Sequence, residues 1–137
     1  MIKRLYLDDV RTILDTGWII VRSYDEFTQF ISKNGIPELI SYDHDLMFEH
    51  IEYYNNNIMN DINHSINYDS FKYETGYDCA VWLIEYCLDN NIKMKCDTFI
   101  HSQNPAGAAN IKSLIDNFYK FQKLDKSCTY YQWKFKV

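Results

Sequence analysis

The 137-residue sequence is short of the features that would mark it as disordered, secreted or membrane-spanning. It has only four glycines and two prolines, and its 17% aromatic content exceeds that of a disordered tail. No apolar run approaches the ~20 residues that span a bilayer, and the N-terminal MIKRLYLDD turns acidic too soon for a signal peptide. Lys and Arg number 14 against 19 acidic residues, which argues against duplex DNA as a partner. We therefore predict one cytoplasmic domain over residues 1–137 with no membrane partner.

Metal-binding or disulfide cysteine patterns are also missing. The four cysteines form no CxxC pair and no Cys/His quartet at zinc spacing. Cys79 and Cys87 lie within an apolar helical pattern, whereas Cys96 precedes a predicted strand and Cys128 begins another. We expect all four to be buried free thiols in a reducing compartment.

Strand and helix patterns alternate along the chain. Apolar and β-branched runs predict strands at residues 5–7, 18–21, 39–42, 98–100 and 128–135. Capping signals followed by apolar residues at helical spacing predict helices that begin near Ser23, Thr75 and Asn104. This order predicts an α/β fold with a five-stranded, mainly parallel sheet and helices on both faces. Only about nine residues separate the first two strands, so either a short irregular crossover joins them or the second strand is antiparallel.

Residues 47–74 differ in composition from the rest of the chain. They are rich in Asn, Ile and Tyr, which AT-rich codons encode. This composition favours a low-GC bacterium, a phage or another virus as the source. If the source is a virus, we expect the protein in the cytoplasm of its host. We interpret the segment as a partly helical insertion after the third strand and a candidate lid. His50 and His64 within it are expected to take no part in chemistry or metal binding. Four of its tyrosines either cover a hydrophobic patch or stack on a bound base: Tyr53, Tyr54, Tyr68 and Tyr73.

Three polar clusters directly follow three of the predicted strands. In an open α/β sheet, ligands bind beyond the carboxyl ends of the strands, so side chains distant in sequence are expected to meet there. The clusters are Asp8-Asp9-Val10-Arg11, Asp43-His44-Asp45 and His101-Ser102-Gln103-Asn104.

The acidic residues of these clusters predict a cation site. Carboxylates that converge raise one another's pKa unless a cation neutralises them, and oxygen ligands suit Mg²⁺. Taken alone, an acidic pair after a strand is as consistent with a turn cap as with a metal site. The candidate metal ligands are Asp8, Asp9, Asp43 and Asp45.

The remaining polar residues suit phosphate chemistry. His44 and His101, each beside the acids, are candidates for general acid and base, although a lone histidine is more often a packing residue. Arg11 is either a solvated charge or a phosphate contact. A helix N-terminus near Ser102, Asn104 and Gly107 offers backbone N–H groups to an anion, beyond the capping role of Asn104.

Six motifs occur in an order that resembles one known family. DDVR, GW, the arginine after the second strand (Arg22), DHDL, TGYDCAVW and HSQNPAG resemble the cyclic-phosphate-processing receiver domains, over residues 5–46 and 75–112. The resemblance implies a receiver-like (flavodoxin-like) fold in which Asp8 and Asp9 correspond to the acidic metal pair of ordinary receivers. Asp43 corresponds to their acceptor aspartate, and Ser102 falls where they place a hydroxyl.

The same resemblance implies that the two extra histidines act on nucleotide or RNA cyclic phosphates. The sequence departs from the family pattern at Met47, where glycine is usual after DHDL, and in the longer insertion. No lysine follows the last predicted strand in the way receivers use to read phosphorylation, because Lys134 and Lys136 lie within that strand.

Three functions follow as hypotheses. The first is a metal-assisted phosphoesterase that acts on RNA 2′,3′-cyclic phosphate ends or cyclic nucleotides, with His44, His101 and Asp43 as catalytic residues. The second is a nucleotide-binding protein without catalysis, for example a viral protein that sequesters a defence signal, with the insertion as its lid. The third is a phospho-receiver module with Asp43 as acceptor, which the absent lysine disfavours.

Overall fold

In the computed structural model, which describes residues 3–61 and 63–136, the chain folds around a five-stranded parallel sheet. Its spatial order is β3-β1-β4-β5-β6. The strands are β1 (Arg4–Leu7), β3 (Trp18–Val21), β4 (Leu39–Tyr42), β5 (Asp97–Ile100) and β6 (Thr129–Tyr130). Two further short strands, β2 (Thr12–Ile13) and β7 (Phe135–Lys136), pair antiparallel as a separate ribbon. The predicted five-stranded α/β fold is confirmed.

The strand pairing decides between the two alternatives for the first crossover and corrects the prediction for the last strand. β1 and β3 are parallel neighbours, so the first crossover is the short irregular one and contains β2. The single strand predicted over 128–135 is wrong, because the chain leaves the sheet after Tyr130 and only Phe135 re-enters a strand, opposite Ile13. Lys134 therefore lies between strands, where its carbonyl accepts a hydrogen bond from the Leu14 N–H (2.8 Å).

Three long helices pack against one face of the sheet rather than both. Each begins where its sequence signal predicted, since the side chains of Ser23, Thr75 and Asn104 accept hydrogen bonds from first-turn N–H groups. From β3 to β6 every crossover steps across the sheet in the same direction, and right-handed crossovers then place all helices on the same face. The helices are α1 (Tyr24–Asn34), α3 (Gly76–Asp89) and α4 (Pro105–Phe121).

The main core lies between these helices and the sheet. Leu5, Leu7, Ile40 and Tyr42 form its floor and are fully buried under apolar side chains of α1, α3 and α4. The four cysteines are buried and free, as predicted. Burial raises the pKa of the Cys96 thiol to about 12, which leaves it protonated and unreactive at neutral pH.

The opposite face of the sheet is covered by aromatic side chains. Trp133 packs edge-on against Trp18 with ring centroids 5.0 Å apart, and it lies 4.2 Å from Tyr131 and 5.5 Å from Phe99. The segment after β6 thus takes the place that a helix was expected to occupy. No helix within residues 3–61 and 63–136 has the length and apolar character needed to cross a bilayer.

The 47–74 segment is partly helical, as predicted, and it is anchored beside the polar edge of the sheet. It contains α2 (Phe48–Tyr53), a π-helical turn (Tyr54–Ile58) and a 3₁₀ turn (Tyr68–Ser70). His50 Nδ1 accepts hydrogen bonds from the N–H groups of Leu46 (2.9 Å) and Met47 (3.2 Å). Its Nε2–H donates to the Tyr73 carbonyl (2.9 Å), so His50 ties the two ends of the segment together.

Candidate active site

The three central strands end at one level and bring three polar residues together. Leu7, Tyr42 and Ile100 are aligned across β1, β4 and β5, and each is followed by a member of a polar cluster. Those next residues are Asp8, Asp43 and His101. All three are buried, and one potential ligand atom from each lies within 4.8 Å of the others.

Asp8 is held as a buried carboxylate by a ring of donors. Its Oδ1 accepts hydrogen bonds from the N–H groups of Val10 (3.1 Å) and Arg11 (2.9 Å), and its Oδ2 lies 3.3 Å from His101 Nε2. Burial raises the pKa of Asp8, but the hydrogen bonds from His101 and the two backbone N–H groups outweigh it. The net pKa is below the ordinary value, so Asp8 stays ionised.

Asp43 lies next to Asp8, but its surroundings shift its pKa in the opposite direction. It is 6% exposed and accepts one hydrogen bond, from the His44 N–H to Oδ1 (2.8 Å). Burial, followed by the negative charge of Asp8, raises the pKa of Asp43 well above its ordinary value. Its second oxygen accepts no hydrogen bond from the described residues. A cation bound next to such a buried carboxylate would stabilise its ionised form.

A cavity of about 230 Å³ opens above these carboxylates. Four of its lining side chains are acidic (Asp8, Asp9, Asp43 and Asp45), and Arg11 is the one basic group among its described lining residues. Burial and the charge of Asp8 raise the pKa of Asp9. The HSQN segment contributes Ser102, Gln103 and Asn104, and the 47–74 segment contributes Ile51, Tyr54 and Asn55.

Arg22 shapes the DDVR loop from beneath and does not line this cavity. Its guanidinium donates to the carbonyl oxygens of Asp8 (3.2 Å) and Arg11 (2.6 Å) and to Thr12 Oγ1 (2.9 Å). The loop is therefore held where the Asp8 carboxylate can accept its backbone hydrogen bonds. Arg11 Nε lies 3.9 Å from Asp8 Oδ2, with its guanidinium over the Phe135 ring (5.2 Å to the centroid).

His101 lies behind Asp8 and is held by a chain of hydrogen bonds. The Trp133 indole N–H can only donate, and it lies 2.9 Å from Ser41 Oγ. The Ser41 hydroxyl is then free to donate to His101 Nδ1 (2.7 Å), which leaves Nε2–H to donate to Asp8. The ring also stacks on Tyr6 at 4.3 Å, and burial lowers its pKa, so this donor pattern assigns a neutral Nε2–H imidazole.

His44 is likewise buried and its two ring nitrogens are both engaged. Nδ1 lies 2.7 Å from Asp45 Oδ1, and Nε2 lies 2.9 Å from the Tyr68 hydroxyl. An imidazole that donates from Nδ1 to the carboxylate accepts at Nε2 from Tyr68, whose oxygen in turn accepts from the Asn110 amide (2.9 Å). Neither His44 nor His101 lines the cavity; each stands behind a carboxylate that does.

Two glycines of the sequence motifs allow close packing around His44. A Cβ on Gly76 would overlap the Asp43 carbonyl oxygen, and the Gly76 N–H donates to the His44 carbonyl (2.8 Å). Gly107 lies against the His44 ring, and its N–H donates to Asn104 Oδ1 (3.0 Å). The Gly107 N–H is therefore committed to capping α4 and is not free for the predicted phosphate contact.

The predicted metal ligands are divided between two positions. Asp8 and Asp43 bring their oxygens together with His101, so this buried cluster could bind a metal. Asp9 and Asp45 line the same cavity, but Asp45 is engaged by His44 and by the Asn104 amide (3.2 Å). Ser102 lines the cavity too, and its Oγ accepts from the Asn104 N–H (3.1 Å).

Three residues that support the site lack a recognisable sequence signal. Ser41 lies mid-strand, Tyr68 lies in the 47–74 segment, and Trp133 follows the last strand of the sheet. Strand alternation places Ser41 on the face opposite the helices, where a buried hydroxyl needs partners, and this is the one hint available from sequence.

Comparison with known proteins assigns the chain to one family. No curated protein and no solved structure shows significant similarity to the chain. The family described as "Cyclic-phosphate processing Receiver domain" matches residues 3–117, which include β1 to β5 and every cavity-lining residue. The chain therefore belongs to the cyclic-phosphate processing receiver domain family.

Proposed function

We propose that this protein is a metal-assisted phosphoesterase that opens cyclic phosphates, with RNA 2′,3′-cyclic phosphate ends or cyclic nucleotides as substrates. The observation that carries the proposal is the paired carboxylates Asp8 and Asp43, buried at the floor of a cavity with four acidic side chains and one arginine. Alone, such a cavity repels a phosphate. Bound to a divalent cation, it attracts one.

Mg²⁺ is the cation that the cavity suits. Asp8 and Asp43 offer oxygens at its floor, and Asp9 adds a third carboxylate at its rim, which are the hard ligands that Mg²⁺ prefers. The hydrogen bond from His101 Nε2–H to Asp8 keeps that imidazole a donor, which favours an oxygen-ligated ion over a nitrogen-ligated one. When bound, the ion would neutralise charge on the phosphate oxygens.

The protein's own residues then orient the reaction. Arg11 and the Ser102 hydroxyl, both at the cavity wall, would hold the non-bridging oxygens. Water adds to phosphorus, one P–O ester bond of the ring breaks, and the released ribose oxygen takes a proton, which yields a monoester. The Asp45–His44 pair is the candidate for accepting the proton of water, because Asp45 faces the cavity and His44 stands 2.7 Å behind it.

The test is turnover with a panel of cyclic phosphates. Nucleoside 2′,3′-cyclic phosphates, RNA with a cyclic end and 3′,5′-cyclic nucleotides are incubated with Mg²⁺ or with EDTA, and products are followed by ³¹P NMR. We expect a monoester from at least one substrate, in Mg²⁺ only. Asp43→Asn should abolish the reaction, whereas the exposed Asp125→Asn should not. No product from the folded wild type across the panel would refute the proposal.

A second candidate function is nucleotide binding without catalysis. It is favoured by one observation: the four ring nitrogens of His44 and His101 are all within hydrogen-bond distance of protein groups, so neither ring offers a nitrogen directly to a ligand in the cavity. Calorimetry that detects tight, Mg²⁺-dependent binding of a nucleotide, with no product after prolonged incubation, would support this function instead.

A further inference from the structure

The 47–74 segment supplies three of the residues that line the acidic cavity. Ile51, Tyr54 and Asn55 line it together with the acidic residues and the HSQN segment. These side chains carry no charge, in contrast to the carboxylates at the floor. If the phosphate of a ligand binds at the carboxylates, the rest of the ligand can contact these uncharged side chains.

Tyr54 differs from the other tyrosines of the insertion. Tyr53 bonds His64 through its hydroxyl (2.6 Å), and Tyr68 bonds His44 and stacks on Tyr77 at 4.6 Å. Within residues 3–61 and 63–136, the Tyr54 side chain makes no hydrogen bond and joins no aromatic pair, yet it lines the cavity. Among the described residues of the segment, Tyr54 is the one tyrosine that lines the cavity, and its ring has neither a hydrogen-bond partner nor an aromatic partner.

The backbone at Tyr54 departs from the regular α-helix. α2 changes there to a π-helical turn, in which the Met59 N–H donates to the Tyr54 carbonyl (2.9 Å). Such turns displace side chains from regular helical positions and are frequent at functional sites. These residues are also tied to the site through α2. His50 of that helix accepts hydrogen bonds from the N–H groups of Leu46 and Met47, which directly follow Asp45 in sequence.

We propose that Ile51, Tyr54 and Asn55 form a nucleobase subsite, so that the ligand is a nucleoside cyclic phosphate and not a base-free sugar phosphate. The inference rests on the proposed function, whose substrates all carry a base, and it assigns the residues that hold that base. The base stacks on the Tyr54 ring, which tolerates any base because each has a π face. The Asn55 amide, with both donors and an acceptor, reads the base edge. The cavity of about 230 Å³ holds the phosphate and ribose, with the base at its mouth.

The experiment compares ligands with and without a base. Binding of the four nucleoside 2′,3′-cyclic phosphates and of ribose 2′,3′-cyclic phosphate is measured by calorimetry with Mg²⁺, and turnover is measured on the same samples. We expect the wild type to bind nucleoside ligands about 10-fold or more tightly than the base-free one. Tyr54→Ala should remove this preference and Tyr54→Phe should keep it. Tyr73→Ala, an exposed tyrosine of the same insertion, is the matched control.

The outcomes separate this inference from the proposed function. Equal affinity for base-free and nucleoside ligands, or a preference that survives Tyr54→Ala, overturns the subsite even if the enzyme is active. A base preference that depends on Tyr54 but is accompanied by no turnover supports the subsite and refutes the hydrolase. Absence of binding to every ligand, with folded protein by circular dichroism, overturns both.

Discussion

Gly107→Ala should destabilise the protein through a collision with the His44 ring. A Cβ at position 107 would lie 2.5 Å from Nδ1 and 2.6 Å from Cδ2 of that ring, whereas such contacts settle at about 3.5–4.0 Å. The ring would have to move by about 1 Å, yet its hydrogen bonds to Asp45 and Tyr68 fix it from both sides. Overpacking of this kind costs about 1–3 kcal/mol, and disturbed buried hydrogen bonds cost about 1–3 kcal/mol more.

The helix itself opposes part of this cost, since alanine is favoured over glycine in a helix by about 1 kcal/mol. We therefore expect Gly107→Ala to lower the free energy of unfolding by about 1–5 kcal/mol, measured by urea denaturation. The control is the same substitution in a His44→Ala background, where space is open and the effect should be between zero and about 1 kcal/mol of stabilisation. An equal loss in both backgrounds would show that His44 is not the obstacle and refute the reasoning.

Three further predictions concern the buried polar groups. Asp43→Asn should stabilise the metal-free protein at neutral pH. The pKa of Asp43 is raised in the folded state, so above about pH 4 the native state binds a proton that the unfolded state has lost. The free energy of unfolding therefore falls as the pH rises through the folded pKa. When urea midpoints are plotted against pH between 5 and 8, the variant should show a smaller decrease than the wild type. An unchanged decrease would contradict the raised pKa of Asp43. Tyr68→Phe should cost about 1–3 kcal/mol in thermal or urea unfolding, because His44 Nε2 loses its donor; a wild-type midpoint would argue against that bond. Trp133→Phe removes the N–H that donates to Ser41, so the Ser41 hydroxyl can accept a hydrogen bond from His101 instead of donating one. The ¹⁵N signals of His101 should then shift away from those of the Nε2–H tautomer. Unchanged signals would mean that Asp8 alone determines the tautomer of His101.

The sequence was sufficient for the local elements of the fold. Ser23, Thr75 and Asn104 cap helices at the predicted residues because a cap depends on groups within three residues of one another. The strands before Asp8 and Asp43 could be predicted for the same reason, since a short apolar run that stops at acids is a local pattern. The meeting of these acids followed from one general rule about the edge of parallel sheets.

The predictions that failed depended on the path of the chain. Helices were expected on both faces, but the direction of successive crossovers is a property of strand order, which periodicity does not encode. The strand predicted over 128–135 failed because Trp133 covers the second sheet face instead of continuing along β6. Nothing local distinguishes a tyrosine or tryptophan in a strand from one that closes over a sheet.

Sequence alone determined which chemical groups are at the carboxyl edge: carboxylates, two imidazoles, an arginine and a hydroxyl. The tertiary structure decided what each one faces. His44 and His101 were candidates for the general acid and base, and the fold sets both behind carboxylates because Tyr68 and Ser41, from distant segments, occupy their ring nitrogens. Adjacent Asp8 and Asp43 acquired opposite pKa shifts, since the donors that surround Asp8 do not reach Asp43. Burial and hydrogen-bond partners are assigned across the whole chain, so residue type and spacing cannot set them.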